Sequence, residues 1–167
     1  MYKSLVKYLS FSYLFLLCFL VSAENLKLSN MDTLKMPLPL PYNGVVYSAV
    51  EIDNFIDKTI DDFKQPVIVF GGNWCPDCRI FSGVIELPSI KKFFKENYRI
   101  MYVDVGRYEI NMNLMSYFDI PEEEGVPRVL VFDKQRKILN NSSTKEWTTA
   151  RDREHQEIFD YFQKLAE

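Results

Sequence analysis

Apolar positions form two kinds of pattern along this chain. One pattern predicts strands and the other predicts helices. Short continuous apolar runs rich in β-branched residues are typical of buried strands, and they occur at 67–70, 100–105 and 128–132. Apolar residues at helical spacing occur at 53–64, 111–118 and 149–165. A further helix is expected to begin near Pro76 and to be interrupted at Pro88.

The order of these elements predicts the fold class. The polar residues 133–136 predict a turn from the third strand into a returning strand at 137–140. Strand, helix and strand followed by a hairpin and a helix are typical of an α/β protein. We therefore expect a single domain with a central mixed β-sheet and helices on both of its faces.

Composition narrows the functional classes. The chain has 167 residues, of which 47% are hydrophobic, so it can bury a core and global disorder is excluded. Its formal net charge of −3 provides no basic surface for a phosphate backbone, and we expect no binding to nucleic acid. Three cysteines are too few for a disulfide-rich scaffold, and their odd number leaves one without a partner.

Residues 1–23 have the pattern of a secretory signal peptide. Lys3 and Lys7 precede a short apolar run, which ends at a small residue, Ala23. The run is shorter than the roughly 20 residues of a membrane-spanning helix, so we expect cleavage rather than anchoring. Cleavage would remove Cys18, two basic residues and no acid, which changes the net charge from −3 to −5. The protein is then expected to be periplasmic or secreted.

The remaining chain is predicted to have two parts. Residues 24–44 form an N-terminal extension with alternating prolines at 37, 39 and 41, which favour extended backbone. We expect this extension to pack on the domain, with a docking peptide as the alternative. Residues 45–167 form the domain.

The most informative motif is Trp74-Cys75-Pro76-Asp77-Cys78, at the end of a predicted strand and the start of a predicted helix. Free N–H groups and a partial positive charge at a helix N-terminus stabilise a thiolate, which favours Cys75 as the attacking sulfur. Cys78 lies one turn later and is placed to resolve a mixed disulfide. Trp74 is expected to shield one side of the pair.

Three other interpretations of the two cysteines were weighed. A zinc site needs about four ligands, and the mature chain offers two cysteines and a distant His155. A structural disulfide between residues 75 and 78 would close a very small ring and would stabilise little. A copper carrier would be expected to have an adjacent His or Met, and none is present. The residues favour a redox-active dithiol that uses no metal and no organic cofactor.

With these motifs the chain resembles the thioredoxin-like superfamily over about residues 45–166, and in particular its exported bacterial members. The resemblance depends on the strand at 67–70 before the dithiol and on Gly125-Val126-Pro127 before the next strand. It implies a thioredoxin-like fold in which Pro127 is a cis-proline facing the dithiol. It also implies that the backbone of Val126 hydrogen-bonds a bound peptide.

Two positions depart from the thioredoxin pattern. Thioredoxins carry Gly-Pro between the cysteines, whereas this chain carries Pro76-Asp77, and an ionised Asp77 is expected to raise the pKa of Cys75 relative to a disulfide oxidase. Thioredoxins also bury an acid six positions before the first cysteine, where this chain has Val69. Proton transfer would then use another group, such as Asp77 or water.

These observations predict an exported thiol-disulfide oxidoreductase that reduces or exchanges disulfides of envelope proteins through Cys75 and Cys78. Trp74, Pro76, Asp77, Val126 and Pro127 are expected to shape its site. Its expected partners are protein disulfide substrates and a redox partner in the membrane or envelope, and we expect a monomer. The alternatives are a thioredoxin-fold binding module without turnover, held in an envelope assembly, and a disulfide oxidase or isomerase.

Overall fold

The structure is a computed structural model that describes residues 25–167. The predicted signal peptide, with Cys18, lies outside the described residues. The described chain forms, in order, α1 (Ala49–Asp61), β1 (Gln65–Gly71), α2 (Pro76–Ile85), α3 (Pro88–Asn97), β2 (Tyr98–Asp104), α4 (Asn113–Tyr117), β3 (Arg128–Val131), two 3-10 segments (Asn141–Ser143 and Glu146–Asp152) and α5 (His155–Leu165). Within this part of the chain, no helix is long and apolar enough to cross a membrane.

The three strands form a mixed sheet in the order β2-β1-β3. β1 pairs in parallel with β2, where Val67 is opposite Ile100, and antiparallel with β3, where Val69 is opposite Val129. Every residue of the central strand β1 is buried. This position explains its continuous apolar sequence, because a strand with neighbours on both edges and helices on both faces has no solvent-facing side.

Alternate residues of the strands enter two separate hydrophobic layers. Val67 and Val69 face a layer built by α2, α3 and α5, whose largest members include Phe81 and Phe162. Ile68 and Phe70 face a second layer that is covered by α1 and α4 and also contains both cysteines. The predicted fold class, a mixed sheet with helices on both faces, is confirmed.

Two predicted elements differ from the structure. The returning strand at 137–140 is reduced to a single bridge between Phe132 and Ile138. The Asn140 side chain makes hydrogen bonds to β3 that the backbone of a longer returning strand would otherwise make. It accepts from Val131 N–H (2.9 Å) and donates to Val129 C=O (2.7 Å).

The last helix begins at His155 rather than near residue 149. The preceding residues form a 3-10 segment that ends at Asp152. Glu154 then caps α5 in a reciprocal pair with Glu157, which fixes the start of the helix six residues later than the apolar spacing indicates.

Residues 25–48 form an arm whose middle part lies along α2 and α3. Leu34 and Leu38 cover Gly83, where the absence of a side chain leaves room for both leucines. Asp32 accepts from the N–H (2.8 Å) and the hydroxyl (2.7 Å) of Ser89 at the start of α3. The arm then reaches the end of β1, where Tyr42 is buried.

Candidate active site

The dithiol lies where β1 ends and α2 begins. Cys75 is the N-cap residue of α2 with extended backbone, and Pro76 occupies the first helical position. The Cys78 N–H donates to Cys75 Sγ over 3.2 Å. The sulfur of Cys75 thus takes the place of the oxygen that usually caps a helix, at the end where the partial charge is positive.

The pKa values of the two thiols are shifted in opposite directions. The hydrogen bond from the Cys78 side chain lowers the pKa of Cys75; burial opposes this effect, and the backbone amides of Cys78 and Asp77 support it. Burial raises the pKa of Cys78 far above its usual range, and the neighbouring Cys75 raises it further. Cys75 is therefore the more acidic of the two thiols, and Cys78 is the less acidic one.

Val126 lies against the same sulfur and is followed by Pro127. The peptide bond between them is cis, and the Cys75 thiol donates to Val126 C=O over 3.5 Å. Both residues are buried. The structure thus brings together Cys75, Cys78, Pro76 and the Val126-Pro127 pair.

Trp74 forms the exposed side of the site. Its indole N–H donates to Gly106 C=O, its ring packs edge-on against Tyr108 (5.5 Å between centroids), and the Arg107 guanidinium lies over it. Tyr108 in turn accepts from Gly125 N–H over 3.1 Å and so connects Trp74 to the segment that carries Val126. The sequence analysis missed Arg107 and Tyr108, because nothing in their local pattern indicates a contact with Trp74.

Asp77 does not set the acidity of Cys75. Its charge raises the pKa of Cys75, in the predicted direction, but the hydrogen bond from Cys78 outweighs it and the pKa of Cys75 is lowered. The Asp77 carboxylate is buried and accepts from Arg151 N–H (3.0 Å) while it pairs with the Arg151 guanidinium (3.2 Å). Asp77 therefore joins α2 to the 3-10 segment before α5, a contact that the sequence analysis missed.

The loop before Val126 is held by a buried arginine. Arg128 is almost fully buried and donates to Gly125 C=O (2.9 Å) and to Glu123 C=O (3.1 Å). Its guanidinium also pairs with the Glu123 carboxylate (3.2 Å), which Lys145 contacts as well. Glu123 is thus part of the loop's support.

A tyrosine from the arm stands behind the dithiol. Val69, at the position where thioredoxins bury an acid, lies in the layer formed by α2, α3 and α5. The Tyr42 side chain is 4% exposed and lies in the layer that contains Cys75 and Cys78. Its position as an aromatic residue directly after the Pro-rich run was the signal in the sequence that could have indicated it.

No group of three or more His, Cys, Asp or Glu side chains within residues 25–167 is arranged to hold a metal ion. The described site holds two buried thiols side by side at a helix N-terminus, an arrangement suited to thiol chemistry.

Comparison with solved structures identifies the class of fold. A disulphide isomerase from Xylella fastidiosa Temecula1 is similar with 26% sequence identity and a TM-score of 0.68, over 77% of this chain and 98% of that one. This similarity and the mixed sheet place the chain in the thioredoxin-like class of folds, as predicted.

Two further structures are more distant. A protein of unknown function from Pseudomonas aeruginosa has 16% identity over 70% of this chain and 79% of that one, with a TM-score of 0.39. An HIV epitope-scaffold has 22% identity over 56% of this chain and 64% of that one, with a TM-score of 0.36. No family model and no curated protein matches the chain.

Proposed function

We propose that this protein is a thiol-disulfide oxidoreductase in which Cys75 exchanges with substrate disulfides and Cys78 resolves the mixed disulfide. The observation that carries the proposal is the placement of two buried thiols at the N-terminus of α2, where Cys78 N–H donates to Cys75 Sγ over 3.2 Å and Val126 C=O lies 3.5 Å from the same sulfur. The similar solved structure is described as a disulphide isomerase, which supports the same general chemistry.

In the reducing direction the Cys75 thiolate attacks one sulfur of a substrate disulfide. A bond forms between Cys75 Sγ and that sulfur, the substrate S–S bond breaks, and the second substrate sulfur leaves as a thiolate that takes a proton from solvent. Cys78 then loses its proton and attacks Cys75 Sγ, which releases the first substrate sulfur as a thiol. The protein ends with a Cys75–Cys78 disulfide, and the substrate has gained two electrons and two protons.

Substrate would approach along the exposed side of the dithiol. Trp74 is 39% exposed there, and the Val126 backbone lies against Cys75, so both are positioned to contact an extended peptide. We propose that Trp74, Pro76, Asp77, Val126 and Pro127 shape this contact, and that the protein works as a monomer without metal or organic cofactor.

We further propose that the substrates are envelope proteins and that the protein is exported to the periplasm or secreted. The support is the predicted signal peptide at residues 1–23. A reductase outside the cytosol needs a source of electrons, so a membrane or envelope redox partner would re-reduce the Cys75–Cys78 disulfide.

The direction of exchange is tested by the reduction potential of the Cys75–Cys78 pair, measured by equilibration with glutathione. A value near about −270 mV, as in thioredoxin, would support a reductase. A value as oxidising as about −120 mV would overturn the reducing direction and favour an oxidase. An intermediate value near about −180 mV would favour isomerisation, the activity by which the similar solved structure is described.

Turnover itself is tested by trapping. The Cys78→Ser variant cannot resolve a mixed disulfide, so it is expected to accumulate covalent adducts with envelope proteins that dithiothreitol releases. The matched control carries Cys75→Ser as well and should trap nothing. If the Cys78→Ser variant also traps nothing, a binding module without turnover becomes the better description.

A further inference from the structure

The hydroxyl of Tyr42 is buried beside Cys78 and has no hydrogen bond of good geometry within the described residues. A buried hydroxyl without a partner loses its hydrogen bonds to water and gains none in return, which is unfavourable. Such a group is rare in a folded core, and its position beside a reactive thiol calls for a functional explanation.

The surroundings hold this hydroxyl in place. The Asn73 side chain accepts from Tyr42 N–H (3.2 Å) and donates to Tyr42 C=O (2.7 Å), so the residue two positions before Cys75 fixes the tyrosine backbone on both sides. The Tyr42 ring packs edge-on against Tyr102, with 5.4 Å between centroids. The arm and the dithiol loop therefore form one unit.

Gly71 provides the space in which the hydroxyl meets the sulfur. A Cβ at this position would lie 2.9 Å from Cys78 Sγ and would also overlap the Tyr42 hydroxyl. The two polar groups thus border the same small volume. Any side chain at residue 71 would separate them or displace one of them.

We propose that the Tyr42 hydroxyl is the hydrogen-bond donor that stabilises the Cys78 thiolate during resolution of the mixed disulfide. This inference rests on the proposed oxidoreductase function. Because Tyr42 would contact a reacting atom from the N-terminal arm, the arm supplies a catalytic residue to a site whose two thiols belong to the domain.

The acidities agree with a donor and not with a base. Burial raises the pKa of Tyr42 well above its usual range, and the titratable groups that face it, Cys78, Tyr102 and Cys75, act in the same direction. The hydroxyl therefore keeps its proton at any pH at which the protein works. Burial and the neighbouring Cys75 raise the pKa of Cys78, so a hydrogen-bond donor beside this sulfur would favour the thiolate that resolution requires.

The resolving step balances without any transfer of the tyrosine proton. The Cys78 proton passes to solvent and then to the leaving substrate sulfur, while Cys78 Sγ bonds to Cys75 Sγ and the bond from Cys75 to the substrate breaks. Tyr42 donates a hydrogen bond to Cys78 Sγ while that sulfur carries negative charge, and its own O–H bond stays intact.

The experiment separates the two chemical steps with 5,5′-dithiobis(2-nitrobenzoate), in protein that carries Cys18→Ala so that only Cys75 and Cys78 react. Attack by Cys75 releases one thionitrobenzoate and leaves the second as a mixed disulfide, which forms at acidic pH. A jump to higher pH then starts attack by Cys78, which releases the second equivalent. The variants are Tyr42→Phe and, as the matched control, Tyr102→Phe, which removes the hydroxyl of the packing partner.

Tyr42→Phe is expected to slow the second release about tenfold at neutral pH and to move its pH profile toward alkaline values. The first release should be unchanged, and Tyr102→Phe should behave as the wild type in both steps. The Tyr42→Phe protein should fold, because the variant keeps the ring and removes an unsatisfied hydroxyl.

An unchanged second release in Tyr42→Phe would overturn the inference. Equal slowing of both releases, or the same slowing in Tyr102→Phe, would also overturn it, because a structural disturbance would then explain the effect. Wild-type protein that releases only one equivalent would instead refute the proposed dithiol function, so the two failures are distinguishable.

Discussion

The helices α2 and α3 follow each other in the chain and begin in nearly the same way, yet their N-termini carry different groups. Each has proline at its first position, Pro76 in α2 and Pro88 in α3. In α2 the cap is the Cys75 side chain, whose sulfur accepts from Cys78 N–H. In α3 the N-cap residue makes no side-chain hydrogen bond, and the arm supplies the Asp32 carboxylate instead.

The difference shows that a helix N-terminus does not by itself make a reactive site. The Asp32 carboxylate accepts four hydrogen bonds, two from Ser89 and two from Ser29, and it is fully engaged in holding the arm. The sulfur of Cys75 is a weaker acceptor and keeps lone pairs for attack on a disulfide. The same local field therefore stabilises structure at α3 and a nucleophile at α2.

The largest effect is expected from Cys75→Ser. Serine can cap α2 as well as cysteine does, so the free energy of unfolding should change by less than about 1 kcal/mol. Disulfide exchange should be lost completely, because a hydroxyl at neutral pH is not a comparable nucleophile. Chemical denaturation and an insulin-reduction assay measure the two effects. Retained exchange in this variant would contradict the role of Cys75.

At the start of α3 we expect a loss of stability without a loss of thiol reactivity. Asp32→Asn should cost about 1–2 kcal/mol of unfolding free energy, since it weakens a charged cap with several buried hydrogen bonds. The first release from 5,5′-dithiobis(2-nitrobenzoate) should be unchanged. Urea unfolding measures the loss, and a change in the first release would show that the two N-termini are not independent.

The contribution of Asp32 to stability depends on pH. Burial alone would raise the pKa of Asp32, but the hydrogen bonds from Ser89 and Ser29 lower it to about 2. Because the folded pKa lies below the unfolded value of about 3.9, the contribution to stability is complete above pH about 4 and is lost as pH falls toward 2. The wild type should therefore lose stability more steeply than Asp32→Asn in this range.

Substitutions of Cys78 test why the pKa of Cys75 is low. The side-chain hydrogen bond from Cys78 is the largest cause of that low pKa. Cys78→Ala removes the donor and should raise the pKa of Cys75, whereas Cys78→Ser keeps a hydroxyl donor and should raise it less. The rate of alkylation of Cys75 by iodoacetamide as a function of pH reports both values. Equal midpoints in the two variants would show that the helix amides alone set the acidity.

The smallest effect concerns the second carboxylate near α2. Asp77→Asn removes a charge that raises the pKa of Cys75, so the alkylation midpoint should move toward acid. Arg151→Gln removes the partner of Asp77 and should move the midpoint in the opposite direction. Shifts of the same sign would contradict the pairing.

Sequence patterns predicted the elements whose structure is determined by residues close together in the chain. The three strands could be predicted because buried strands need continuous apolar runs, and the start of α2 could be predicted because Pro76 suits only the first turn of a helix. The position of the dithiol at this helix start follows from these two facts. The helix at α3 after Pro88 could be predicted in the same way.

The contacts that tune the site could not be predicted in this way. Asp32 meets Ser89 across 57 positions and Asp77 meets Arg151 across 74, so these contacts depend on how the arm and the 3-10 segment before α5 pack. The Asn140 side chain, which replaces part of a strand ladder, is likewise specified by tertiary packing. The spacing of apolar residues indicates which face of a helix or strand is buried. It does not indicate which polar group of another element contacts that face.

The two tryptophans of the chain lie in environments that differ in a spectroscopically useful way. Trp74 is partly exposed, adjoins Cys75 and lies under Arg107, whereas Trp147 is buried among Phe81 and Tyr161 on the other side of the sheet. Emission from Trp74 should therefore follow the redox state of the dithiol, while emission from Trp147 should follow unfolding of the core. Its two tryptophans thus report separately, one on its chemistry and one on its fold.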